Sequence, residues 1–128
     1  MNYVHTTSET EYPDRPGELL KVADTPETEV KISLTWERDP WFVQMRYEYE
    51  GESLDSVSEL PDEDSFEFAK GEIELSINYE WNENIRIFAE VENLLNEPQA
   101  SEFEGDASRI TQYRWAPREF KFGLKFEL

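Results

Sequence analysis

Of 128 residues, 30 are Asp or Glu and one is a histidine, His5. A lone histidine does general-base work only beside a group that orients it. The neighbouring Thr6 and Thr7 mark no such group, so a structural or interfacial place is expected for His5 and no catalytic residue is assigned. Carboxylates are so frequent that no pair of them is informative, and a glycosidase assignment would need two at a defined separation. The densest acidic run is Pro61-Asp62-Glu63-Asp64-Ser65-Phe66-Glu67. Asp62, Asp64 and Glu67 are its candidate ligands for Ca²⁺, but the run lacks the sixth-position glycine and the ligand spacing of an EF-hand loop. The expectation is a solvated loop, with no metal and no cofactor. Tyr47, Tyr49, Tyr79 and Trp81 have flat faces that could stack on a sugar or another ring, although packing in a core or interface is the commoner use of such a stripe.

The bulk composition narrows the partners. A formal net charge of −18 repels the phosphate backbone that dominates nucleic-acid affinity, so no DNA or RNA partner is expected. The same field opposes adsorption to anionic lipid surfaces. Aromatic residues make up 14% of the chain, which argues for a folded protein, because disordered chains are poor in them. No run approaches the roughly 18–20 apolar residues of a spanning helix. The absence of cysteine removes disulfides, zinc ribbons and thiol catalysis together. Met1–Thr6 has neither the basic nor the apolar region of a secretory signal. A cytoplasmic, soluble protein is therefore one expectation, and a chain that starts after a missing segment is the other.

The elements that must position these residues alternate with a period of two. Val30, Ile32, Leu34 and Trp36 alternate with polar neighbours. So do Val43, Met45, Tyr47 and Tyr49; Ile73, Leu75, Ile77, Tyr79 and Trp81; and Ile85, Ile87, Ala89 and Val91, where Phe88 is an exception. Phe120, Phe122, Leu124, Phe126 and Leu128 close the chain in the same way. Such alternation marks strands with one apolar and one polar face. Asn2–Thr10 is a sixth, weaker candidate. Glu18–Lys21 and Asn93–Asn96 could each form a helical turn. The fold class expected is all-β, an antiparallel up-and-down meander of about six strands.

The connections alternate too. Arg38-Asp39-Pro40 and Asn82-Glu83-Asn84 are tight turns, whereas residues 12–26, 51–69 and 95–117 are long connections. In a meander the short ones fall at one end and the long ones at the other, which is the layout of an outer-membrane barrel. Trp36, Trp41, Tyr79, Trp81 and Phe126 then gather at the tight-turn end, as an aromatic girdle or as the rim of a soluble core. Each apolar stripe covers about nine residues, close to what crosses a bilayer as a tilted strand.

Ala89-Glu90-Val91-Glu92-Asn93-Leu94-Leu95-Asn96-Glu97-Pro98 resembles the penultimate strand and "NLxN-P" loop entry of TonB-dependent outer-membrane receptors. Gly105-Asp106-Ala107-Ser108-Arg109, followed by Gln112-Tyr113, resembles the next loop of a large subgroup. Arg118 to Leu128, with Phe120, Gly123, Leu124 and Phe126, is similar to the family's closing strand. Tyr12–Glu18 and Arg46–Tyr49 are similar to the preceding loop and strands, so the likeness covers most of the chain. Departures are Leu128 where the family usually has Phe, and Ala116-Pro117 where it often has Tyr-Gly.

The resemblance implies that residues 1–128 are the C-terminal part of a closed barrel of about 22 strands. Such a receptor imports siderophores or other large nutrients across the outer membrane, and the part is structural and not an enzyme. The implied partners are the lipid bilayer and the rest of the barrel, with TonB acting only through plug segments absent from these residues. Six strands cannot close a membrane barrel, whose smallest examples have about eight. A fragment, a homo-oligomer that completes a barrel, and a soluble derivative therefore all stay open. In the soluble form a stand-alone curled sheet packs its stripes inward and binds an apolar ligand or a protein through its acidic loops. The strand carboxylates Glu72, Glu74, Glu80, Glu90 and Glu92 could face a lumen if Lys31, Arg46, Arg86, Lys121 and Lys125 pair with them across strands.

Overall fold

The computed structural model describes residues 1–97 and 100–127. Pro98, a family-motif position, and Leu128, which departs from the family's closing Phe, lie outside the described residues. The strands are β1 (Asn2–His5), β2 (Glu9–Tyr12), β3 (Arg15–Lys21), β4 (Thr28–Arg38), β5 (Trp41–Glu50), β6 (Ser53–Ser56), β7 (Ser65–Glu67), β8 (Lys70–Asn82), β9 (Ile85–Glu92), β10 (Ala100–Glu104), β11 (Ile110–Arg114) and β12 (Glu119–Phe126). A 3₁₀ turn, Pro61–Glu63, precedes β7. The chain is all-β. Six strands form one antiparallel meander in the order β1-β4-β5-β8-β9-β12.

Register follows from the alternation. Across the sheet Val30 pairs Tyr49, Ile32 pairs Tyr47, Leu34 pairs Met45 and Trp36 pairs Val43. The rows continue through Tyr47–Ile73, Met45–Leu75 and Val43–Ile77, Leu75–Val91 and Ile77–Ala89, and Val91–Phe120 and Ile87–Leu124. A slip of one residue would send every apolar side chain to the other face, so the shared pattern sets the pairing. Phe88, the exception, stands opposite Gly123 on the polar face. Its ring lies where a Cβ on Gly123 would sit. The aromatic and the glycine thus complement each other, as an edge glycine covered by a cross-strand ring does. Gly123→Ala is expected to cost about 1–3 kcal/mol by overpacking, read as a lower urea midpoint. Phe88→Ala in the same chain should recover most of that loss, and simple additivity would refute the contact.

Two local expectations are corrected. Glu18–Lys21 is not a helical turn but part of β3, paired with β2 through Glu11–Leu19 and Thr10–Leu20. A single helical turn has no cooperative support, whereas the hairpin supplies ladder bonds immediately. Asn93–Asn96 does close a turn, with the Asn96 N–H donating to the Asn93 carbonyl at 2.8 Å. It is not helical, because Asn93 and Asn96 have φ of +49° and +59°.

The long connections are also more ordered than their composition suggests. The first holds β3, which pairs back on β2. The second and third donate β6, β7, β10 and β11 to a four-stranded sheet ordered β11-β10-β7-β6. Its small core contains Leu54 and Phe103, at 4% and 5% exposure the two buried hydrophobic residues among those described. Phe66 stacks on Phe103 with centroids 5.3 Å apart, and Phe68 tilts against it at 4.5 Å. Backbone groups in loops this long need partners, and pairing between two loops supplies them.

Candidate functional site

The two faces of the six-stranded sheet differ in chemistry. The apolar face is bare: among the described residues no second sheet or helix packs on it. Leu34 and Leu124 are 57% and 58% exposed, and Phe122 is 76% exposed. Ile32, Leu75, Ile87 and Leu124 all stand on this one face and do not meet across an interior. At its tight-turn end Trp41 tilts against Tyr79 at 4.6 Å, and Tyr79 meets Trp81 edge-on at 6.4 Å. Trp36, Trp81 and Phe126 are exposed at the same end. A continuous exposed apolar surface with an aromatic margin marks a face built for contact with something apolar.

The polar face carries cross-strand ion pairs. Arg46 meets Glu74 at 2.7 Å, Lys70 meets Glu50 at 2.9 Å, Arg86 meets Glu80 at 2.9 Å and Lys121 meets Glu92 at 2.5 Å. Lys31 reaches Glu48 at 3.9 Å. Lys125 differs from its expected role, reaching Glu127 just past the end of its own strand at 3.5 Å. Some carboxylates oppose one another, as Glu48–Glu72 and Glu92–Glu119 do. Each pair is half-exposed and worth about 0–1 kcal/mol, so their role is to let the face hold charge at all. A hollow of about 380 Å³ near the tight-turn end is lined by Glu37, Trp41, Phe42, Asn78, Glu80 and Arg86, among others. His5 lies exposed on the edge strand β1, away from that hollow.

At the loop end the motif positions form a latch. Asn93, 2% exposed, donates through Nδ2 to the carbonyls of Glu97 and Ala116, both at 2.7 Å, and accepts the Glu97 N–H at 3.0 Å. The Leu94 N–H donates to the Ile73 carbonyl at 2.9 Å. Asn96 Oδ1 accepts the Arg118 N–H at 3.1 Å. The end of β9 is thereby tied to β8 and to the start of β12.

The remaining motif residues bind the loops to one another. Gly105 has φ +61°, and a Cβ there would lie 2.6 Å from the Asp62 carbonyl oxygen. Glycine is therefore required for this approach, in which the Gly105 N–H donates to the Asp64 carbonyl at 2.9 Å. The Ser108 N–H donates to Asp106 Oδ1 at 2.8 Å, and that backbone hydrogen bond holds the Asp106 carboxyl below its usual range. Arg109 donates to the Asp62 carbonyl at 2.9 Å and pairs with Glu104 at 3.4 Å. Tyr113 is exposed beside Trp115.

Of the three candidate cation ligands, Asp64 and Glu67 engage cationic side chains. Asp64, 5% exposed, pairs with Arg15 at 2.7 Å and accepts the Ser58 N–H at 2.9 Å. Asp62 offers its backbone carbonyl to Arg109, and Glu67 lies 3.9 Å from Lys70. Among the described residues no group of three or more His, Asp or Glu side chains is placed to hold a metal ion. Sequence reasoning missed the Arg15–Asp64 tie, because nothing local marks a pair 49 positions apart. It did register Phe88 as an anomaly, which was the visible sign of its contact with Gly123. Comparison with protein families, with curated proteins and with solved structures finds no match for this chain.

Proposed function

We propose that the chain forms part of the wall of a TonB-dependent outer-membrane receptor, a transporter of siderophores or other large nutrients, in which it is structural and not catalytic. The bare apolar face of the single-layer sheet carries this reading. In water such a surface is a liability, whereas against lipid it needs no cover, and the backbone behind it hydrogen-bonds across the neighbouring strands of the sheet. The ion-paired face opposite suits a wet lumen. The edges β1 and β12 are where the rest of a barrel would join. By the same resemblance, coupling to TonB belongs to segments outside these residues, and the location is the bacterial outer membrane.

The test is to refold the chain into vesicles containing brominated lipid and record tryptophan emission. Trp36, Trp41 and Trp81, exposed at the tight-turn end of the apolar face, should be quenched, and substituting all three with Phe should remove most of the quenching. A folded monomer in detergent-free buffer, without quenching in vesicles, would reject the receptor reading in favour of a soluble curled-sheet domain that binds through its loops.

A further inference from the structure

The edge strand β12 is eight residues long, holds no proline, and keeps an unbroken register against β9 from Glu119–Glu92 to Phe126–Ile85. Among the described residues no strand pairs with its outer side. The Glu127 N–H, one residue past the strand, donates to the Asn84 carbonyl at 2.9 Å in that same register. Odd-numbered residues of β12 therefore turn their backbone groups toward β9, and Phe120, Phe122, Leu124 and Phe126 turn theirs outward. A long apolar edge with free N–H and C=O groups is a template for another strand. The strand at the opposite edge, β1, has four residues and matches at most half of it.

We propose that the outer edge of β12 docks the β12 of a second copy of this chain, antiparallel and centred on Phe122, in a two-fold dimer whose sheet runs on across the contact. The pairing needs only the free edge and does not rest on the receptor-wall reading. Outward backbone groups sit on even-numbered residues, so even must face even, which also keeps the apolar side chains on one face. The charges choose among the registers that remain. Centred on Phe122, Glu119 stands opposite Lys125 twice, Phe120 opposite Leu124 and Lys121 opposite Gly123. Glu119 and Lys125 have side chains 60% and 61% exposed. Across the contact they fall in non-hydrogen-bonded pairs, the closer kind, where opposite charges attract. Centred on Gly123, Lys121 would face Lys125 and Glu119 would face Glu127; centred on Lys121, that lysine would face itself. A centre at Leu124 keeps only Phe122–Phe126 within the ladder. A two-fold contact must be self-complementary, and the order Glu119, Lys121, Gly123, Lys125 is so about Phe122.

The chain has no cysteine, so one introduced thiol reports the register in the full chain refolded in detergent. Phe122 is 76% exposed, and Phe122→Cys should oxidise to a linked dimer, since facing Cα atoms about 5.5 Å apart suit a disulfide. Phe120→Cys and Leu124→Cys should each stay unlinked alone, because the two copies of either residue lie about 13 Å apart, and should link to each other when mixed. Sedimentation of the cysteine-free chain should show a dimer. Glu119→Lys should raise its dissociation constant on the order of tenfold, and Lys125→Glu in the same chain should restore it. A monomer at every concentration, an unlinked Phe122→Cys, or a Leu124→Cys that links to itself would overturn the proposal. None of these results touches the receptor-wall reading, which stands or falls on quenching in lipid.

Discussion

Asn93→Ala is expected to loosen the loop end of the six-stranded sheet at a cost of about 3–5 kcal/mol. The substitution leaves the Glu97 and Ala116 carbonyls and the Glu97 N–H without their partner. It does so at a position 2% exposed to solvent, where each orphaned group costs about 1–3 kcal/mol. It also places alanine at φ +49°, a region that Asn tolerates far better. Asn93→Asp should be no milder, because it keeps the acceptor but turns a carboxylate toward two carbonyl oxygens. The measurements are the urea midpoint of the detergent-refolded chain and amide exchange at Glu97 and Arg118. Exchange at Glu97 as slow as in the parent chain would refute the latch.

The second large effect is expected at Arg15 and Asp64, which join the β2–β3 hairpin to the loop sheet. Both are nearly buried, and Asp64 also satisfies the Ser58 N–H. Asp64→Ala strands the guanidinium with only Glu18, 3.0 Å away and half-exposed. Removing one member of a buried pair costs about 3–5 kcal/mol, whereas replacing both with apolar residues of similar volume is often neutral. The loss should be local, because few other contacts hold the hairpin: one is the Asp24 N–H donating to the Leu54 carbonyl at 2.8 Å. Limited proteolysis should then cut within β2–β3 while the strand content of the large sheet persists. Arg15→Met with Asp64→Leu should restore most of the protection. A double variant as sensitive as the sum of the two singles would refute the pairing account.

The strands of the large sheet were legible because they alternate with a period of two over eight or more residues, except for β1. That strand is only four residues long, and it was hidden in a longer stretch, Asn2–Thr10, which also contained the start of β2. The strands within the loops were not legible. β6, β7 and β10 are three to five residues long, too short for periodicity to separate from turn composition, and their pairing joins loops far apart in sequence. The motif asparagines could be picked out by resemblance, but their work as hydrogen-bond bridges could not. That work depends on where Ala116 and Arg118 come to rest.

By itself the sequence determined which residues share a face, since side-chain direction in a strand is a property of each residue and its immediate neighbours. It also set the contrast between short and long connections, and with it the two unlike ends of the sheet. Only the tertiary structure decided that the apolar face has no cover among the described residues, that the acidic loops form a second sheet, and that Asp64 serves Arg15 and a backbone amide. These outcomes depend on long-range register and on which charges meet after the chain has folded back. The local pattern of residues carries no record of either.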